Sequence, residues 1–224
     1  MRIKWIDATK GLAILCVILG HMGGINIAGI SPHFVYAFHL PAFFILSGYT
    51  LKRKELDIDY INRKFDRLMN PYFLTCFAIM IMDIFNSLFI YDKRTIMDIT
   101  GIVSKNIVRS FWGSGAITEF AGIETGLRIG AIWFLPAIFF AQIIVQWILN
   151  QSNSARMHWG MTGCIALVGY ISSQFIWLPF SMQSAMTASL FIMAGYYSKK
   201  YDVIHKLKWK YYILAILVHC IIDF

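Results

Sequence analysis

Two histidines and a lysine stand inside apolar runs near the start of the chain, and they are residue types from which proton and acyl chemistry is built. Lys10 and His21 lie on the run KGLAILCVILGHMGG, and His39, in a Phe-His-Leu-Pro turn, starts the run FHLPAFFILSGY. An ionisable side chain at membrane depth costs a few kcal/mol of insertion free energy, which makes each a functional candidate. An imidazole titrates near neutrality and suits the role of general base toward a hydroxyl nucleophile. On a helix, residues eleven apart are nearly three turns apart, so Lys10 and His21 share a face about 16 Å apart along the axis. Asp7, one turn before Lys10, is placed to pair with it. Gly20, Gly23 and Gly24 thin the helix around His21 and let a backbone or ligand approach. Spacing alone leaves two readings of His21 equally open, a general base or a histidine bonded across a helix interface. Pro41 biases the residues before it away from helix, so Phe38 and His39 are expected at the external end of the second run, near the level of His21. Ser47, Gly48 and Tyr49 read as close-packing residues rather than ligands.

A second candidate follows in KRKELDIDYINRKFDRLMNPY. Lys64 and Arg67 are three apart, and Arg63 and Arg67 four apart, so they cluster on one helical face. That face suits the phosphates of an anionic cofactor. The competing reading is a solvated, orientation-setting charge run. Asp83 and Asn86, one turn apart in the next apolar run, would suit a proton relay in a transporter or flippase for lipid-linked saccharides, the alternative function class. Cys16, Cys76, Cys164 and Cys220 each lie in a different apolar run without CxxC spacing, so they read as small core residues; no metal site is expected.

The elements that must carry these residues are transmembrane helices. The chain is 58% hydrophobic and 14% charged, with a mean hydropathy of +0.61, against roughly 45–50% apolar and about 25% charged in soluble domains. Lipid as solvent explains that imbalance, and the expected fold is an all-α, polytopic transmembrane bundle. Helices are expected at about 9–29, 34–51, 71–91, 131–149, 158–177 and 180–197, with a seventh starting near Lys210 and incomplete where the chain stops. Pro71, Pro136 and Pro179 fall at or near the expected helix starts. The start of the chain resembles a secretory signal but lacks a convincing cleavage site, so it reads as an uncleaved first helix.

Charge sets the expected orientation. Fifteen of the twenty Lys and Arg residues fall in gaps on one side if the helices alternate, which places the N-terminus in the cytoplasm of a multi-pass protein of the cell (inner) membrane. The segment 92–130 is then an extracytoplasmic connection, and IMDITGIVSKNIVRSFWGSG within it is expected to form a short interfacial helix anchored by Phe111 and Trp112. The net charge of +8 lies between apolar runs rather than in a groove interleaved with aromatics, so nucleic acid is not an expected partner. No internal repeat supports an inverted-repeat transporter.

Four motifs occur in order: D-x-x-K-G-x-x-I-x-x-V-x-x-G-H, F-H-x-P-x-F-F-x-x-S-G-Y, a basic pair before R-L-x-x-P-Y, and W-F-L-P-A-x-F. Together they resemble the membrane-bound acyltransferase family 3, and within it the fucose 4-O-acetylase-like branch, as a C-terminally truncated member. The resemblance implies a single integral-membrane acyltransferase domain over 1–224, the N-terminal portion of a fold of about ten helices. It implies transfer of an acyl group, usually acetyl, from acyl-CoA to a hydroxyl of a cell-surface sugar or polysaccharide. His21 falls on the family's essential histidine and His39 on the histidine of the second motif. Lys10, Lys64 and Arg67 fall on its basic positions, and Trp133, Phe134 and Leu135 on its third motif. At Lys10 and Lys64 many members carry Arg, and lysine lacks the planar fork for bidentate phosphate contacts. The expected partners are the lipid bilayer and the sugar acceptor, with a homo-oligomer left open.

Overall fold

Asp57 starts the longest helix of the molecule. Its side chain accepts a hydrogen bond from the Tyr60 backbone N–H at 2.6 Å, filling the N-cap position where a carboxylate satisfies an otherwise unpaired donor. The computed structural model describes residues 4–21, 32–90, 95–115, 119–120, 123–124 and 127–207. Its helices are α1 (Lys4–His21), α2 (Pro32–Thr50), α3 (Ile58–Phe89), α4 (Ile96–Trp112), α5 (Phe134–Gln151), α6 (Ala155–Ser173), α7 (Met182–Lys200) and the short α8 (Val203–Lys206). The only strands among the described residues are two two-residue segments, Glu119–Phe120 and Ile123–Glu124, paired antiparallel. The all-α expectation holds.

Three boundaries differ from those read in the sequence. Helix α3 begins at Ile58 rather than near Pro71, because the Asp57 cap starts it earlier and Pro71 is carried inside. Proline forfeits one backbone hydrogen bond within a helix, and here the Pro71 carbonyl accepts from Thr75 Oγ1 at 2.8 Å. Pro41 is likewise inside α2, so His39 lies seven residues beyond the helix start at Pro32 rather than at a helix end. Helix α1 already includes Lys4, earlier than the start expected near residue 9, and it is described as far as His21, the rest of the expected first span lying outside the described residues. The seventh run and Cys220 lie outside the described residues.

Two helices have the length and apolarity to cross a membrane among the described residues, Ile58–Phe89 and the stretch Ala131–Gln151. The apolar part of α3 is the eighteen residues after Pro71, YFLTCFAIMIMDIFNSLF, and only 17% of that window is buried. Leu74, Phe77, Ile81, Met82, Phe85 and Phe89 therefore point outward, an arrangement suited to hydrocarbon and unfavourable in water.

The chain divides into two compact units, residues 1–52 with 191–224, and residues 53–190. In the first, α1 packs on α2, and Ile6, Leu46 and Tyr49 form a buried cluster with Trp5 and Ile204 against it. A Cβ at Gly48 would overlap the carbonyl of Ile192, and one at Gly195 would overlap the carbonyl of Ile45, so α2 and the end of α7 meet backbone to backbone. This fits the reading of residues 47–49 as close-packing. Trp5 meets Tyr49 edge to face at 5.1 Å, and Lys199 Nζ lies 5.8 Å from the centroid of the same ring.

In the second unit, α3 lies against both α4 and α5. Met69, Tyr72, Cys76, Ile129 and Phe139 form its buried cluster. Phe180 sits among the rings of Tyr72, Phe73, Phe111 and Phe140, with centroids 5.5–6.5 Å away. Phe180 and Ser181 both adopt left-handed backbone, with φ of 56° and 54°. Gly113, which ends α4 at φ +67°, makes room for this turn, because a Cβ there would stand 2.9 Å from Phe180 Cα. The Ser181 hydroxyl donates to the Gly113 carbonyl, and Trp177 Nε1 donates to the Trp112 carbonyl at 3.0 Å. The end of α4 is thus tied to the start of α7.

Candidate functional site

The first unit carries Lys10, His21 and His39. Helix α1 is continuous from Lys4 to His21, so the eleven-residue spacing of Lys10 and His21 is realised on one helix. Lys10 is half-buried. The side chains of His21 and His39, Gly23 and Gly24, and any convergence of the two imidazoles lie outside the described residues.

The second unit carries Lys64 and Arg67, both on the part of α3 that precedes its apolar window. Arg67 is exposed and Lys64 half-buried. The Lys64 ammonium lies 5.4 Å from the centroid of the Tyr60 ring, one turn earlier on the helix, in cation–π geometry. Burial, then repulsion from Arg67 and Lys54, hold the Lys64 ammonium below the usual lysine range. Among the described residues no carboxylate is paired with Lys64 or Arg67. Of the nearby acids, Asp57 caps α3 and Asp66 accepts from Asn70 Nδ2 at 3.1 Å, while Glu55 and Asp59 are exposed. Like charges held together without a counter-ion are favourable only when an anion joins them. The structure therefore brings together the two basic residues that the sequence paired, and it places Lys10, His21 and His39 in the other unit.

The helix expected within the 92–130 connection is present as α4, but beside the apolar part of α3 rather than beyond its end. Polar partners on α3 explain that position. Arg109 Nη2 donates to Asp83 Oδ2 at 2.9 Å, Asn106 Nδ2 to the same oxygen at 3.1 Å, and the Tyr72 hydroxyl to the Ser110 carbonyl at 2.6 Å. Asp83, the residue that favoured a proton relay, is thus occupied as the anchor of α4. Opposite charges in two successive apolar helices were the sequence signal for this pair. Trp133 lies in a single 3-10 turn before α5, and its ring packs so closely on Gly115 that a Cβ there would overlap it. Pro136 stands in the first turn of α5, and Pro179 opens the turn before α7, as expected. Groups of three or more His, Cys, Asp or Glu placed to hold a metal are absent among the described residues.

The described residues thus form a helical bundle in which two basic residues stand at the start of a long helix with exposed apolar side chains. A family model described as an acyltransferase domain matches residues 3–222, and the chain belongs to acyltransferase family 3, a membrane-associated family of enzymes that transfer acyl groups. No curated protein and no solved structure matches the chain significantly.

Proposed function

We propose that this acyltransferase is an O-acetyltransferase that moves an acetyl group from acetyl-CoA to a hydroxyl of a cell-surface sugar or polysaccharide, as in the fucose 4-O-acetylase-like branch. The observation that carries the donor assignment is the pairing of Lys64 with Arg67 on one face of α3, without a carboxylate partner and with the Lys64 ammonium disfavoured until an anion arrives. Lys64 and Arg67 hold the phosphates of the donor, and the family resemblance marks Lys10 as a further basic residue for the donor. His21, oriented by His39, takes the proton of the acceptor hydroxyl. The hydroxyl oxygen attacks the thioester carbonyl, the carbon–sulfur bond breaks, and the CoA thiolate leaves and takes the proton back from the imidazole. Alternatively the imidazole carries the acetyl group between the two steps. In this reading the protein is multi-pass, with its N-terminus and the Lys64 face cytoplasmic and the 92–130 connection on the acceptor side.

The experiment is His21→Ala in the full-length protein, with acetylation of the surface polysaccharide read by mass and membrane insertion read by fractionation. Loss of acetylation with insertion intact supports the base assignment; retained acetylation overturns it. Charge reversal at Lys64 and Arg67 is expected to weaken donor binding more than acceptor binding, and equal loss of both would make the pair structural.

A further inference from the structure

The seam between α3 and α5 gathers polar groups that the packing leaves unused. Gln146 on α5 is fully buried; its amide nitrogen donates to the Lys54 carbonyl, while its Oε1 has no hydrogen-bond partner. Tyr60 on α3, 4% exposed, also has a hydroxyl without a partner. Phe65 meets Phe139 edge to face at 6.0 Å and Gln146 meets Lys54, so the chain through α3 runs antiparallel to α5. Counting from the ring contact puts Tyr60 within about one turn of Gln146. Buried polar atoms are rarely left unpaired in folded proteins.

The same seam pins the chain just before α3. Gln146 holds Lys54 by its backbone, and the Arg53 guanidinium donates to Asn153 Oδ1 beyond the end of α5. Lys54 is thereby held by its backbone four residues before the start of α3, with its side chain exposed. Lys54, Lys64 and Arg67 all lie in the stretch that leads into and begins α3, and among the described residues none of them is paired with a carboxylate. Coenzyme A carries three phosphate groups, a diphosphate and a ribose 3′-phosphate.

We propose that Lys54, held by Gln146, completes with Lys64 and Arg67 a three-cation site for the phosphates of a nucleotide acyl donor, and that Tyr60 is the residue that positions the Lys64 ammonium. This rests on the acyl-CoA reading above and goes beyond it by naming the third cation and two positioning residues. Gln146 acts through Lys54, and Tyr60 acts through its ring face, which fixes the ammonium by cation–π attraction.

The test is calorimetric binding of acetyl-CoA to the full-length protein in lipid nanodiscs. Lys54→Ala changes only an exposed side chain and is expected to weaken binding about tenfold, the loss of one charge-assisted phosphate contact. Gln146→Leu is expected to match it, and the double variant to be no weaker than either single variant, because both remove the same contact. Tyr60→Leu is expected to weaken binding about tenfold, whereas Tyr60→Phe, which keeps the ring under Lys64, stays within about threefold of the parent. A merely structural role for Tyr60 would leave affinity unchanged in both. If Lys64→Ala and Arg67→Ala weaken binding while Lys54→Ala and Tyr60→Leu do not, the three-cation site is overturned and the donor reading stands. If none of these variants changes binding, or the parent does not bind acetyl-CoA, both fall together.

Discussion

The pairing of Asp83 with Arg109 makes a sharp prediction about what holds α4 in place. The Arg109 side chain is 15% exposed and the Asp83 side chain 38% exposed, so the arginine is the more desolvated partner. Its Nε already lacks a hydrogen-bond partner. Asp83→Ala would leave a mostly buried guanidinium without a counter-ion. Breaking a fully buried pair in this way costs about 3–5 kcal/mol, and the partial exposure of Asp83 lowers the expectation to about 2–3 kcal/mol. For a chain of this size that corresponds to a fall in unfolding temperature of roughly 5–10 °C. Arg109→Met alone leaves the Asp83 carboxylate with the Asn106 amide as its remaining side-chain partner, and its cost is expected to be of the same order, about 2 kcal/mol. The double variant Asp83→Ala with Arg109→Met removes both charges and is expected to cost well under the sum of the two single variants. The assay is a double-mutant cycle on the protein in detergent, followed by circular dichroism on heating, with hydrogen exchange of the α4 amides beside it. A coupling of at least about 1.5 kcal/mol with faster exchange in α4 is expected. Additive effects, with coupling below about 0.5 kcal/mol, would refute the claim that this pair anchors the helix.

Three further outcomes follow from the packing. Gly48→Val drives a branched side chain into the Ile192 carbonyl, and the α2–α7 contact is expected to open at a cost of about 3 kcal/mol or more, read as loss of thermal stability, while Gly11→Val, where a Cβ meets open space, should cost well under about 1 kcal/mol. Tyr72→Phe removes the hydroxyl that donates to Ser110 and is expected to cost about 1 kcal/mol, with exchange protection lost first at the end of α4. Lys64 supplies a pH dependence: its folded pKa lies below its unfolded value, so the protonated group opposes folding at neutral pH, and that penalty fades as pH rises from the lowered pKa toward the ordinary lysine value near 10.5. Lys64→Met is therefore expected to be more stable than the parent at pH 7, with the gap closing in alkaline buffer; a constant gap would contradict the crowding of Lys64 by burial, Arg67 and Lys54.

How far the sequence could be read depended on the range of the signal. Apolar runs and the Pro136 and Pro179 breaks located α5 and α7 closely, because both act within a few residues. The apolar run after Pro71 marks only the membrane-crossing part of α3, and the helix itself starts thirteen residues earlier, at the Asp57 cap, in the charged stretch whose spacing already put Lys64 and Arg67 on one helical face. The pairing of Lys64 with Arg67 was legible from their spacing on one helix. Lys54, Tyr60 and Gln146 were not, because Gln146 lies ninety-two residues from Lys54 and only the α3–α5 packing joins them. The pairing of Asp83 is hidden for the same reason: an acid in an apolar helix suits the alternative relay reading until its partner, twenty-six residues later, is seen beside it. His21 and His39 were chosen from their cost in lipid and from their motifs, and the backbone shows both on helices.

The central claim is that the enzyme takes its acyl group from acyl-CoA with His21 as the base. The direct measurement is transfer of radiolabelled acetyl from acetyl-CoA into surface polysaccharide by membranes that contain the full-length protein, beside membranes carrying His21→Ala and the charge-reversed Lys64 and Arg67 variant. The account predicts label in the polysaccharide with the parent, none above background with His21→Ala, and, for the charge-reversed variant, transfer restored only at raised acetyl-CoA. Equal labelling by the parent and His21→Ala, or no labelling from acetyl-CoA by a properly inserted parent, would contradict it.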